Sequence, residues 1–251
     1  WTETMMKYAK DRMHGLSLHY YTLPTGNWRG SKGKATGFDE AQWITTLRRT
    51  LHMDTLVTKH SEIMDKYDPE KKVGLVVDEW GTWYDVEPGT TPGFLYQQNS
   101  LRDAIVAALN FNIFHAHADR VYMANIAQTV NVLQAMVLTD KEKMLLTPTY
   151  HVFEMYKVHQ GATFLPIELK SPDYVLGEEK IPAVSVTATK NPAGKIHLSF
   201  ANTNPNAAVT VTTTLAGATA KNVSGRVLTA PAIDSHNTFA EPNVVAPKPF
   251  D

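Results

Sequence analysis

Apolar positions in the first 160 residues alternate between two spacings. Residues 15–21, 73–77 and 121–124 are short apolar or alternating runs of strand character. Between them lie longer stretches with helical periodicity. Asp39 and Gln42 resemble a capping box that opens a helix, and Trp43, Leu47, Leu51, Ile63 and Tyr67 follow near helical spacing until Asp68-Pro69 stops the pattern. Leu101, Ile105, Leu109 and Ile113 recur every fourth residue, and residues 148–158 read as a closing helix. The order β-α-β-α-β-α makes parallel strands with right-handed crossovers the default. The unbroken run at 73–77 is expected to be buried on both sheet faces.

Beyond residue 160 the period changes to two. Residues 164–170, 183–189, 195–201, 208–215 and 225–229 are short alternating or β-branched runs, separated by turn signals such as Asn191-Pro-Ala-Gly and Asn202-Thr-Asn-Pro-Asn. That pattern predicts an antiparallel sandwich. The Pro-rich end, residues 242–251, reads as a tail or a last edge strand. The chain therefore divides into an α/β part (1–158) and an all-β part (159–251). Three βα units do not close a barrel, which takes eight strands and about 250 residues. The α/β part is thus either a small open sheet or a portion of something larger. The chain also opens on Trp1, inside a polar helical pattern, as expected if an N-terminal segment has been removed.

Charge and composition narrow the function. Lys and Arg total 24 against 25 Asp and Glu, a net charge of −1, so no basic field exists to hold a nucleic acid. Cysteine is absent, which removes disulfides, thiolate metal sites and cysteine nucleophiles and leaves the compartment open. No apolar run approaches the roughly 18 residues of a membrane span. Ten Tyr and five Trp suit stacking on sugar faces. No Gly-x-Ser-x-Gly elbow or Walker loop occurs.

Asp78-Glu79-Trp80 follows the apolar run 73–77, at the end of a parallel strand where α/β active sites open. Trp83 and Tyr84 come next, so a carboxylate sits beside aromatic faces; the plainer alternative is a surface Glu paired with a Lys. His19 and Tyr21 occupy the same end of the first strand and point to one side. They could orient Glu79, or be a satisfied core His and a packing Tyr. Gln128, just past the third strand, could bind a hydroxyl or serve packing. Trp28, in the Gly/Pro-rich loop 23–37, is a further candidate sugar contact. His115-Ala-His117 follows a helix and has no carboxylate partner, so neither a metal nor a cofactor is expected.

These residues carry a resemblance. Gly15-Leu-Ser-Leu-His-Tyr-Tyr21, Val77-Asp-Glu-Trp-Gly-Thr-Trp-Tyr84, Leu101-Arg-Asp-Ala and the stretch from Phe114 to Gln134 strongly resemble glycoside hydrolase family 51, the α-L-arabinofuranosidases. The resemblance implies a (β/α)₈ TIM barrel, of which this chain holds strands 6–8, followed by a jelly-roll-like β-sandwich. It implies a retaining mechanism with Glu79 as nucleophile, His19 and Tyr21 beside it, Trp83 lining the sugar pocket and Gln128 at the strand 8 end. His115 and His117 match a motif of the family, which favours a structural role. The family's acid/base Glu follows an Asn, and no Asn-Glu pair occurs here. The expected partners are therefore an arabinofuranoside-containing oligo- or polysaccharide and the N-terminal half of the enzyme as a second chain; a homo-oligomer is compatible. An endo-β-glucanase or xylanase of the same architecture, or a non-catalytic sugar-binding fragment, are the alternatives, and loops 24–37 and 86–94 would separate a closed pocket from an open cleft. Were this chain complete, Asp85 or Glu87 would be the first candidates for a second carboxylate.

Overall fold

The computed structural model describes residues 1–250. Helix α1 (Thr2–Ala9) leads into strand β1 (Gly15–Thr22), followed by helix α2 (Glu40–Asp65), β2 (Gly74–Thr82), α3 (Leu101–Ala116) and β3 (Val121–Ile126). The three strands form one parallel sheet in the order β1-β2-β3. The expected cap opens α2, and a second, unforeseen one opens α3. Asp39 accepts from Gln42 N–H at 2.9 Å, and Ser100 and Asp103 form a reciprocal capping box on α3.

Apolar residues spaced for one helical face explain the packing. Trp43, Ile44, Leu47, Met53 and Val57 of α2 and Val106, Leu109 and Ile113 of α3 are buried together with Leu75, Val77 and Trp80 of β2. Trp80 packs against Phe111, Phe114 and Phe153 with centroids at 5.7, 5.5 and 6.1 Å. At the opposite end of the sheet, Arg120 donates to the Asp68 carboxylate at 2.9 Å and to the Val73 carbonyl at 2.9 Å. This buried pair ties the exit of α2 to the starts of β2 and β3. Burial alone would raise the Asp68 carboxyl, but backbone N–H groups of Val73 and Lys72 and the Arg120 guanidinium hold it below its ordinary value.

One expectation about β2 needs correction. The strand does not end before Glu79 but continues to Thr82, and it is bulged. Ser17 pairs with Val76 and His19 with Glu79, so β2 spends one residue more than β1 over the same span. Against β3 the same occurs between Val77 and Trp80. The expected burial on both faces holds for residues 73–77, whereas Ser17 and His19 of β1 and Tyr122 and Met123 of β3 are exposed.

A hairpin of β4 (Val137–Asp140) and β5 (Lys143–Leu146) precedes helix α4 (Pro148–Tyr156), capped by Thr147 with Pro148 in its first turn. The remainder is antiparallel. Strand β6 (Thr163–Phe164) is followed by the hairpin β7 (Asp173–Leu176)–β8 (Glu179–Pro182), then β9 (Val184–Lys190), β10 (Ile196–Asn202), β11 (Gly225–Val227) and β12 (Lys248–Phe250). A sheet ordered β10-β9-β6 and the pairs β7-β8 and β11-β12 result. Residues 208–215, expected as a strand, form none; Val209 packs against the core, but most of the other side chains are exposed. The Pro-rich end contributes β12 as an edge strand, while Asp251 lies outside the described residues. Apolar packing crosses residue 158. Tyr174, Ile181, Ala183 and Ala201 join the core of α2 and α3, Trp43 Nε1 donates to the Thr203 carbonyl at 2.9 Å, and Leu101 N–H donates to the Ser235 carbonyl at 2.9 Å. Among the described residues no helix is long and apolar enough to cross a membrane.

The contact between α3, α4 and the β9–β10 sheet holds clustered imidazoles. His159 bonds Thr189 at 2.7 Å and Ser199 at 2.8 Å, His115 bonds Thr187 at 3.1 Å, and the two rings lie 5.1 Å apart. Burial lowers both from the ordinary 6.5 to about 4, with His115 and His197 adding to the effect on His159. Between pH 6.5 and 4 the unfolded chain therefore binds protons that the folded one does not. Stability is full above 6.5 and falls as the pH drops, by up to roughly 1.4 kcal/mol per unit for each group. Urea titrations should show this loss, and replacing His115 and His159 together by Gln should flatten it; an unchanged slope would contradict the assignment.

Candidate active site

The bulge on β2 explains how two consecutive carboxylates reach one imidazole. In a regular strand Asp78 and Glu79 would point to opposite faces. Here His19, the register partner of Glu79, has Nδ1 3.5 Å from Glu79 Oε2 and Nε2 3.2 Å from Asp78 Oδ1. Ser17, two residues earlier on β1, donates to the same Asp78 oxygen at 2.6 Å. Tyr21, two residues later, donates its hydroxyl to Glu79 Oε2 at 2.8 Å. Burial, the hydrogen bond to Glu79 and the carboxylate charge together raise the Tyr21 phenol above its ordinary value, so it remains a proton donor. Both contacts fall on Oε2, which leaves Oε1 of this half-exposed carboxylate outside them.

Aromatic rings wall this carboxylate. Tyr21 and Trp83 meet edge to face with centroids at 5.2 Å, Trp83 and Trp28 at 5.7 Å, and Tyr21 and Trp28 at 6.5 Å. Trp83 is fixed by its backbone N–H, which donates to the Thr22 carbonyl at 3.1 Å and extends the β1–β2 pairing past both strands. Trp28 arrives from the long loop after β1.

Behind the site lies a buried polar network. Asp103 accepts from Thr82 Oγ1 at 2.6 Å, Tyr84 hydroxyl at 2.9 Å and Ser100 N–H at 2.7 Å. Burial raises its carboxyl, opposed by Arg102 and by these donors. Arg102 Nε donates to the Tyr84 hydroxyl at 3.0 Å, and its guanidinium covers the Phe38 and Tyr84 rings at 3.5 and 4.2 Å. Gln134 accepts from Thr82 N–H at 2.9 Å and donates to the Asp103 carbonyl at 2.7 Å. Gly81, at φ +144, lets Gln134 approach, since a Cβ there would sit 3.3 Å from both the Gln134 Oε1 and the Ala127 carbonyl. The network pins the end of β2 and so holds Glu79 in place.

The descriptive match to known proteins follows this geometry. The family model for the α-L-arabinofuranosidase C-terminal domain matches residues 78–251. The chain belongs to that family, the glycoside hydrolase family 51 arabinofuranosidases. It is 51% identical, over its whole length, to an intracellular exo-α-L-arabinofuranosidase of Bacteroides ovatus, of which it covers 48%. The crystal structure of the family 51 arabinofuranosidase from Xanthomonas axonopodis pv. citri superposes over the full chain with a TM-score of 0.97 at 58% identity, covering 50% of that protein. The thermostable arabinofuranosidase of Thermotoga petrophila shares the fold, with a TM-score of 0.80 at 23% identity and 50% of its chain covered. The chain thus spans about half the length of the relatives it matches. The C-terminal domain of this family is of β-sandwich type, in line with the antiparallel second part.

Of the six candidates, Glu79, His19, Tyr21, Trp83 and Trp28 come together. Gln128 is exposed just beyond the end of β3, at the cis Ala127–Gln128 peptide, and among the described residues makes no hydrogen bond to the other five. His115 and His117 diverge, the first to Thr187 and the second to Asp54 at 2.7 Å. Asp85 and Glu87 are engaged elsewhere, Asp85 by the loop after β1 and Glu87 by Gln98 N–H at 2.9 Å. Sequence reasoning did not pick out Asp103 and Gln134; their one signal was their place within the stretches that carry the family resemblance.

Proposed function

We propose that this chain is the nucleophile-bearing half of a retaining exo-α-L-arabinofuranosidase, its α/β part supplying strands 6–8 of a (β/α)₈ barrel and its second part the sandwich. The observation that carries this is the Glu79 carboxylate, held through Oε2 by Tyr21 and His19 at the C-terminal end of a parallel strand and walled by Trp83 and Trp28. In the reaction Glu79 Oε1 attacks the anomeric carbon, and the leaving oxygen takes a proton from an acid/base carboxyl about 5–5.5 Å away. Water then cleaves the glycosyl ester, with the acid/base group now accepting a proton. The acid/base carboxyl comes from an N-terminal half, which a second chain or a longer polypeptide supplies. Neutral, donating Tyr21 steadies the carboxylate through Oε2.

The relatives named above support release of terminal arabinofuranosyl units from arabinose-containing oligo- or polysaccharides, as opposed to endo attack on glucan or xylan. The test is hydrolysis of an aryl α-L-arabinofuranoside by residues 1–251 alone and after co-expression with the N-terminal half of a relative. Alone, the chain should be aggregation-prone and inactive, because the open edges of the parallel sheet have no partners; co-expression should restore both. A monodisperse and active chain by itself would contradict the half-enzyme reading.

Tyr21→Phe in the complete enzyme should lower kcat by roughly 5- to 150-fold, the scale of one well-placed donor, with folding unchanged. A change under about twofold would return Tyr21 to packing alone.

A further inference from the structure

Asp85 lies two residues beyond Trp83, and the chemistry makes no use of it. Its carboxylate faces the loop after β1. Ser31 Oγ donates to Oδ2, Lys32 N–H donates to Oδ1 at 2.8 Å, and the Asp85 N–H donates to the Gly33 carbonyl at 2.9 Å. One residue thereby holds three consecutive residues of the loop. Ser31 passes the constraint on, since its carbonyl accepts from Thr25 Oγ1 at 2.7 Å. Lys32 does the same toward the aromatic wall. Its Nζ lies 5.5 Å over the Trp83 ring and 3.4 Å from the Trp28 carbonyl.

Trp28 needs such an anchor. Its side chain is 58% exposed, so burial contributes little to holding it. The loop around it carries Gly26, Gly30 and Gly33, two of them at φ +68 and +96, and ordering such a segment costs much backbone entropy. Yet the Trp28 ring stands edge to face against Trp83 and Tyr21. We infer that Asp85 is a positioning residue: it clamps residues 31–33 so that the Trp28 indole forms a fixed wall of the sugar site and strengthens binding of the arabinose-containing chain. This rests on the proposed function for the sugar, but not for the clamp.

The experiment separates the two. In the complete enzyme, Asp85→Ala should raise KM for an arabino-oligosaccharide by about tenfold, the scale of one net hydrogen bond, and change kcat by less than about threefold. The same variant should be cut by trypsin at Arg29, Lys32 or Lys34 about tenfold faster, since these sites lie on the released loop. Ser31→Ala should act in the same direction, and the double variant should be no worse than Asp85→Ala, because both break one clamp. Asp85→Asn, which keeps an acceptor for Lys32 N–H, should recover most of the affinity and protection. Unchanged trypsin cleavage in both Asp85→Ala and Ser31→Ala would overturn the clamp whatever the enzyme hydrolyses. Faster cleavage with unchanged KM would overturn the role of the Trp28 wall in binding. An unmodified complete enzyme with no activity on arabinofuranosides would instead sink the proposed function and leave the proteolysis result standing. Should Asp85→Ala fail to fold, Ser31→Ala and Asp85→Asn decide alone.

Discussion

Glu79→Ala should reduce turnover of an aryl α-L-arabinofuranoside by the complete enzyme on the order of 10⁴-fold or more, with thermal unfolding unchanged within error. The substitution removes the proposed attacking oxygen, not a packing group, because the Glu79 side chain is half-exposed and its carboxylate is held by Tyr21 and His19. The cavity it leaves admits a small anion. Added azide should then attack the anomeric carbon directly, expel the aryl oxide and give the sugar azide of inverted configuration. A variant keeping more than about a tenth of normal kcat would remove Glu79 from its role, since loss of a true nucleophile leaves far less.

Asp103→Ala should be the most destabilising single change near the site, by about 3–5 kcal/mol. It would orphan the Thr82 hydroxyl, the Tyr84 hydroxyl and the Ser100 N–H in a region without access to water, and leave the buried Arg102 charge without its neighbouring anion. Activity should fall with stability, because Thr82 ends the strand that carries Glu79. Denaturant titration of the complete enzyme measures the loss, and a cost below about 1 kcal/mol would mean that the network does not pin β2.

Much of this architecture is legible in the residues. The apolar runs near 16, 75 and 122 read as strands and the fourfold spacing from Leu101 to Ile113 as a helix, although that helix is buried on nearly every face and not along this stripe alone. The His19-x-Tyr21 spacing put both side chains on one face, and that survives because the register irregularity leaves β1 regular from His19 onward. The bulge on β2 was not legible. One added residue alters which way Asp78 and Glu79 point without changing composition or period, so the approach of both carboxylates to His19 emerges only from the pairing. The β4–β5 and β7–β8 hairpins escaped because their strands are four residues each, too short to establish a period. Residues 208–215 failed in the opposite sense: the alternation is present, but apart from Val209, which meets the core, most of these side chains are exposed. Asp85 and Asp103 differ by their surroundings alone, one exposed and holding a loop, the other buried and holding a strand.

The central claim is that this chain brings the nucleophile. It is tested most directly by trapping the glycosyl-enzyme. The complete enzyme is incubated with a 2-fluoro arabinofuranosyl donor bearing a good leaving group, which slows hydrolysis of the ester more than its formation, and is then digested and sequenced by mass spectrometry. One sugar adduct is expected, on the peptide containing Asp78-Glu79-Trp80, with the ester on Glu79. An adduct on Asp78, Asp85 or Glu87, or on a carboxylate outside this chain with Glu79 unlabelled, would contradict it.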